Sequence, residues 1–150
     1  YAEAADRLLQ DLIANAEIPG ITETEKALAS NVARYHRRAH PRDRHPEFVV
    51  MPEESRNLVR KLAGILRIAD GLDRTHDARV RAIQVKTRGR LVGIGVESPK
   101  DLELELWAVR QKSALFHEAF DAEASFKPLG PKYEKRPVAK AAAKVVRRRR

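Results

Sequence analysis

The chain has 150 residues, enough for one domain with a buried core, and no cysteine, which removes disulfides, thiolate metal sites and cysteine nucleophiles together. Its formal net charge of +9 resides entirely in residues 127–150, where ten Lys/Arg face one acid, Glu134; residues 1–126 hold 20 bases and 20 acids and are neutral. A basic composition therefore argues for polyanion attraction by the C-terminal tail alone, and the absence of any run of about 18 apolar residues excludes a helical membrane span. Tyr1 to Gln10 contain no apolar leader segment, so the expected location is the cytoplasm.

The first element is a helix, because Ala5, Leu8, Leu9, Leu12, Ile13 and Ala16 recur at three- and four-residue steps. Pro19-Gly20 ends it. Thr22 with Glu25 has the spacing of a capping box and opens a second helix, expected from Glu23 to Arg38, with Leu28, Val32 and Tyr35 on its apolar side. His40 to Pro52, with three prolines and mixed charges, reads as a loop. A third helix follows Pro52, with Leu58, Leu62, Ile65 and Ala69 along one side and Val59 and Leu66 beside them, and ends near Gly71 or continues brokenly to Asp77.

The period then shortens. Val80, Ile83 and Val85, the turn Arg88-Gly89-Arg90, and Leu91, Val92, Ile94 and Val96 predict a β-hairpin. Ser98-Pro99-Lys100-Asp101 has helix-starting spacing and predicts a helix through Trp107 and Leu115 to Phe120. The alternation of Leu102, Leu104 and Leu106 leaves a strand open there, and Ala124 to Phe126 suggests one further short strand. From Lys127 onward Pro, Lys, Ala and Arg dominate, too little apolar material to order itself. The expected fold is thus mainly α, over residues 1–78, followed by a small α+β unit, a hairpin plus helix, over 79–126, and a basic disordered tail over 127–150.

Three groups of residues invite a chemical reading. Arg34, Arg37 and Arg38 fall at i, i+3 and i+4, so a continuous helix puts three guanidinium forks on one side, a geometry suited to phosphate oxygens. The same cluster can equally be a solvated basic face at a helix C-terminus. Arg67, Asp70, Arg74 and Asp77 form a ladder of alternating sign, most simply a set of ion pairs that neutralises Asp70. Finally, His45, His76-Asp77 and Asp101 or Asp121 can be drawn in the order of a helical metal-dependent phosphohydrolase. Against that reading, Thr75-His76-Asp77-Ala78-Arg79 leads towards a strand rather than lying inside an apolar helix. The seven glycines are scattered and form no phosphate loop.

Asn15-Ala16-Glu17-Ile18-Pro19-Gly20, Ala33-Arg34-Tyr35-His36-Arg37-Arg38 and Leu62-Ala63-Gly64-Ile65-Leu66-Arg67-Ile68-Ala69-Asp70-Gly71-Leu72-Asp73-Arg74-Thr75-His76 occur in this order. With Leu104-Glu105-Leu106-Trp107-Ala108 and Leu115-Phe116, they make residues 10–126 resemble the C-terminal part of the exopolyphosphatase and guanosine pentaphosphate phosphohydrolase family (Ppx/GppA). The resemblance implies an HD-like helical region that extends a polyphosphate channel and helps a homodimer form. In that family hydrolysis belongs to actin-like domains, with a catalytic Glu and Mg²⁺, which have no counterpart in this chain. Carried over, Arg34, His36, Arg37 and Arg38 become candidates for contacting polyphosphate or guanosine polyphosphate, joined by Arg67 and Arg74, with no catalytic residue in this chain. Asp70 matches the last Asp of the HD pattern, but Ala5 to Gln10 contain no histidine, so a metal site here has only Asp70, His76 and Asp77 as weak candidates. Two alternatives stay open: a stand-alone metal-dependent HD-type phosphohydrolase, and a nucleic-acid-binding protein acting non-specifically through residues 127–150.

Overall fold

The computed structural model describes residues 2–37 and 39–130. In chain order the elements are α1 (Ala2–Asn15), α2 (Glu23–Arg34), α3 (Pro46–Val49), α4 (Glu53–Leu72), β1 (Ala82–Arg88), β2 (Leu91–Glu97), α5 (Glu103–Lys112), α6 (Ala114–Phe120) and β3 (Glu123–Leu129). The chain is therefore mainly α with a small three-stranded sheet, as the change of period at residue 80 predicts.

The capping box forms as its spacing requires. Glu25 N donates to Thr22 Oγ1 at 3.2 Å while Thr22 N donates to Glu25 Oε2 at 2.9 Å, and these bonds hold the Glu25 carboxyl below its ordinary pKa. At its other end α2 stops at Arg34 instead of running to Arg38. Tyr35 N donates to the carbonyls of both Asn31 and Val32, which closes the last turn, and the buried Tyr35 ring pulls the chain into the core. The segment expected to be loop contains one helical turn, α3. Pro46 starts it and Phe48 buries itself edge-on against Tyr35 at 5.7 Å.

Helix α4 begins one residue after Pro52, which occupies the N-cap position. Its buried side is not the expected one. Leu58, Leu62 and Ile65 are exposed, whereas Val59, Ala63, Gly64, Ile68, Gly71 and Leu72 face inward. Small residues explain the choice: a Cβ added at Gly64 would lie 3.0 Å from Phe116 Cα, and one at Gly71 would lie 2.9 Å from Val109 Cα. Helices α5 and α6 thus approach α4 along its narrowest flank. Helix α1 is turned in the same unexpected sense, with Leu8 and Leu12 outward and Asp6 and Gln10 buried against α2.

Two apolar clusters result, and α4 runs through both. Tyr35, Phe48, Met51, Val59 and Ala63 pack with Leu115 of α6, while Ile68 and Leu72 pack with Ile94, Val96, Val109, Phe116 and Phe126. The hairpin pairs Ala82 with Glu97 through Arg88 with Leu91, its turn made by Gly89 at φ 57°. Helices α5 and α6 then cross over the sheet so that β3 joins β2 in parallel, Leu91 opposite Glu123 and Glu97 opposite Leu129. The order is β1-β2-β3.

Two expectations about this C-terminal part are revised. The helix opens at Glu103, not Pro99, because the Asp101 carboxylate accepts from Glu103 N at 3.2 Å, and the chain breaks again at Ser113. Leu102 and Leu106 are buried while Leu104 is exposed, which is helical and not strand placement. The basic tail also starts later than Lys127: Lys127 to Leu129 belong to β3, where the Leu129 side chain occupies the space beside Gly95. The rest of the predicted tail, residues 131–150, lies outside the described residues.

Candidate functional site

The early end of α2 separates the arginines that a continuous helix would have aligned. Arg34 remains on the helix and turns inward; Arg37 leaves it and is exposed; Arg38 lies outside the described residues. Arg34 and Arg37 consequently line two different clefts, and Asp6 of α1 lines both.

The first cleft, about 240 Å³, opens between α1 and the segment joining α2 to α3. Arg34 forms its floor, with Nη1 donating to Gln10 Oε1 at 2.7 Å and to Glu47 Oε2 at 3.1 Å. Arg7, Arg42 and Arg44 stand around it. Next to them, Tyr35 stacks on His45 with ring centroids 5.5 Å apart, and the Tyr35 hydroxyl contacts His45 Nδ1 at 2.9 Å. Because the Arg42 backbone N–H also donates to Nδ1, that nitrogen is an acceptor and Tyr35 is the donor. Burial pushes the Tyr35 hydroxyl up to about 12, which keeps it protonated.

Both histidines of this cleft titrate low. Burial depresses His45 first, and the charges of Arg34, Arg44, Arg7 and Arg42 add to it. Burial and then Arg67 depress His40, with Glu118 opposing them. Burial is the larger cause in both; the arginines around His45 add a positive potential, which opposes its protonation and favours anions. Four arginines stand against Asp6 on the cleft wall. The buried Asp6 Oδ2 lacks a hydrogen-bond partner among the described residues.

Arg67 is placed differently from the other sequence candidates. It is buried in the wall between α4 and the 35–40 segment, where Nε donates to the Tyr35 carbonyl at 2.7 Å and Nη2 to the Ala39 carbonyl. Nη1 donates to His40 Nε2 at 3.0 Å, so that nitrogen carries no proton. His36 is half-buried and contacts the Ala33 carbonyl through Nδ1.

The second cleft, about 430 Å³, lies between the end of α4 and α5. Arg37, Arg74, Lys112 and the exposed Trp107 line it, with Asp70 and His76. Asp70 pairs with Lys112 of α5 rather than with Arg67, whose guanidinium is taken up by the Tyr35 and Ala39 carbonyls, or with Arg74, which lies beyond the end of α4 at Leu72. Burial alone would raise the Asp70 pKa; the hydrogen bond and charge of Lys112, then Arg37 and His36, outweigh it and hold the carboxyl below its ordinary value.

Beyond α4 the chain turns sharply. His76 and Ala78 adopt left-handed backbone angles, φ 54° and 51°, and His76 is exposed beside Asp73 at 3.3 Å. Asp77 accepts from Arg79 Nε at 3.1 Å and Lys100 Nζ at 3.2 Å, and Thr75 Oγ1 donates to the buried Glu105 at 2.7 Å. Among the described residues no group of three or more His, Cys, Asp or Glu is arranged to share a metal ion. Sequence reasoning did not single out Arg7, Trp107 or Lys112 for the clefts. Lys112 meets Asp70 from 42 positions away, which no local pattern signals.

The family model for Ppx/GppA phosphatase, domain III, matches residues 10–120. The chain belongs to the Ppx/GppA phosphatase family. No curated protein matches it at a significant level. The domain III match runs from α1 to the end of α6, and so includes Arg34, Arg42, Arg44, Arg67, Asp70 and Lys112. No helix among the described residues of this Ppx/GppA domain is long and apolar enough to cross a membrane.

Proposed function

We propose that this Ppx/GppA domain III is an accessory region of a cytoplasmic exopolyphosphatase-like phosphohydrolase, binding a phosphate-rich chain in the first cleft and supporting a homodimer. Hydrolysis of the phosphoanhydride, with Mg²⁺, would be carried by actin-like domains outside this chain. In this reading residues 1–78 form the helical anion-binding part, 79–126 brace it, and polyphosphate or guanosine polyphosphate is the ligand. The observation that carries it is the first cleft itself: Arg7, Arg42 and Arg44 around a buried Arg34, with two histidines whose proton affinity is depressed. Arginine forks hold successive phosphates of a linear anion without reading a base, and they fix its register for chemistry elsewhere.

The test uses the full chain with Arg147 to Arg150 each replaced by Gln, so that tail attraction does not mask the cleft. Adding Arg42→Ala and Arg44→Ala should raise the Kd for polyphosphate about 5- to 30-fold, the loss of two exposed charge contacts at roughly 0.5–1 kcal/mol each. The slope of log Kd against log salt should also flatten. Unchanged affinity in the double variant would remove the first cleft from the proposal. Sedimentation of the same protein tests the dimer.

A further inference from the structure

Charge is one-sided in the hairpin. Arg79, Arg81, Lys86, Arg88 and Arg90 all lie between Asp77 and Glu97, with no acid among residues 78–96, although residues 1–126 as a whole are neutral. Asp77 takes up Arg79 and Asp121 takes up Arg90, whereas Arg81, Lys86 and Arg88 enter no ion pair among the described residues. The register accounts for two of them. Lys86 stands opposite Gly93 and Arg88 opposite Leu91, so the neighbouring strand offers neither a carboxylate.

The same strand is open in two further respects. Among the described residues β1 pairs with β2 alone, and its seven residues run without a proline or a bulge, so its outer edge presents backbone N–H and C=O groups. Ile83 and Val85 stand opposite Val96 and Ile94, which α5 and α6 help to bury, yet each is 53% exposed. Side chains alternate along a strand, so Ile83 and Val85 share one face while Gln84, Lys86 and Arg88 share the other. A strand laid against this edge completes the backbone hydrogen bonds. Its apolar side chains, at every second position, cover Ile83 and Val85, and the positions between them meet Lys86 and Arg88.

We propose that the outer edge of β1 takes up an extended acidic segment of another protein, one that alternates apolar residues with Asp or Glu. Charge selects this occupant over the two nearest at hand. A second copy paired through β1 with its apolar face matched would gather Lys86 and Arg88 of both chains on one face. Residues 131–150 of the same chain carry nine bases against Glu134 and are repelled likewise. A nucleic acid is drawn by the same cations, but it leaves unused a row of amide donors and acceptors beside two aliphatic side chains. Residues 78–96 also hold no aromatic ring on which a base could stack.

The test uses the full chain and a labelled peptide as long as β1 in which Glu and Val alternate. A control peptide has the same residues in two blocks, all Glu before all Val. Both feel the basic tail alike, so the difference between them reads the edge. Fluorescence anisotropy should show the alternating peptide binding about fivefold or more tightly than the control, and it should slow amide hydrogen exchange over residues 82–88. Lys86 and Arg88 are exposed, so replacing them leaves the fold intact. Lys86→Ala with Arg88→Ala should raise the Kd of the alternating peptide about 2- to 30-fold, the loss of two cross-strand charge pairs. Lys86→Glu with Arg88→Glu should bind a Lys-Val alternating peptide more tightly than the parent chain does. Equal affinity for the alternating and blocked peptides, unchanged exchange over 82–88, or charge variants that bind both alternating peptides as the parent does would each overturn the proposal. A single-stranded oligonucleotide that slows exchange over the same residues as strongly as the peptide would overturn it too, and would assign the edge to nucleic acid.

Discussion

Replacing Arg67 by Met is the most direct probe of how α4 holds the 35–40 segment beside the first cleft. The side chain is 3% exposed, and its guanidinium joins α4 to the Tyr35 and Ala39 carbonyls and to His40 Nε2. Met retains most of the aliphatic stem but leaves two buried carbonyls without their donor, at about 1–3 kcal/mol each. Part of that is returned, since burial disfavours the guanidinium charge and pushes its pKa down. The net expectation is a loss of roughly 2–4 kcal/mol, a large share of the ~5–15 kcal/mol typical of a domain. Urea unfolding followed by far-ultraviolet circular dichroism measures it. Arg67→Lys should fall between the two, because one ammonium cannot span three separated acceptors. A Met variant within about 0.5 kcal/mol of the parent would refute the bracing role, since measured surface substitutions fall in that range.

Other outcomes follow from the same contacts. Gly71→Ala should destabilise by about 1–3 kcal/mol despite the better helix propensity of alanine, because the new Cβ meets Val109 backbone atoms; an unchanged melting temperature would contradict the packing. His40 and His45, whose folded pKa values are depressed, contribute stability that is complete above the unfolded value of about 6.5 and is lost as pH falls through the folded values. Urea midpoints should therefore decline below about pH 6.5, and His45→Asn should reduce that slope. Asp70, also depressed, adds stability that persists above its unfolded value of about 3.9 and fades only as pH falls through the lower folded one; Asp70→Asn should remove that acid limb.

Much of the element order was legible in the sequence, since it rests on local chemistry. Thr22 and Glu25 cap α2 through bonds three residues apart, and Gly89 supplies the positive φ of the hairpin turn. What escaped depended on distant partners. Leu58, Leu62 and Ile65 make as good an apolar stripe as Val59, Ala63 and Ile68, and periodicity alone cannot rank two stripes on one helix. The decision rests with Val109 and Phe116, which need the glycine flank. The arginines look like one strip in the sequence because Tyr35 fits a helix face as well as a C-cap; its contacts with Phe48, His45 and the Arg67 side chain end the helix there. Lys112 and Trp107 were out of reach for the same reason, as they come to Asp70 on another helix.

Gly64 and Gly71 are seven residues apart on α4, close to two helical turns, or about 10 Å along the axis. Each receives a backbone segment, Phe116 at one and Val109 at the other, with no room for a methyl group. Together they work as two notches of a keyed joint. Sliding α4 by one residue would drive Ile65 or Leu72 into space that only hydrogen fits, and a rotation about its axis would do the same. The helix therefore has a single seating on its partners. Asp70 in the Trp107 cleft, and Arg67, which braces the Tyr35 and Ala39 carbonyls beside the arginine-lined cleft, are both carried by a rod that can neither slip nor roll.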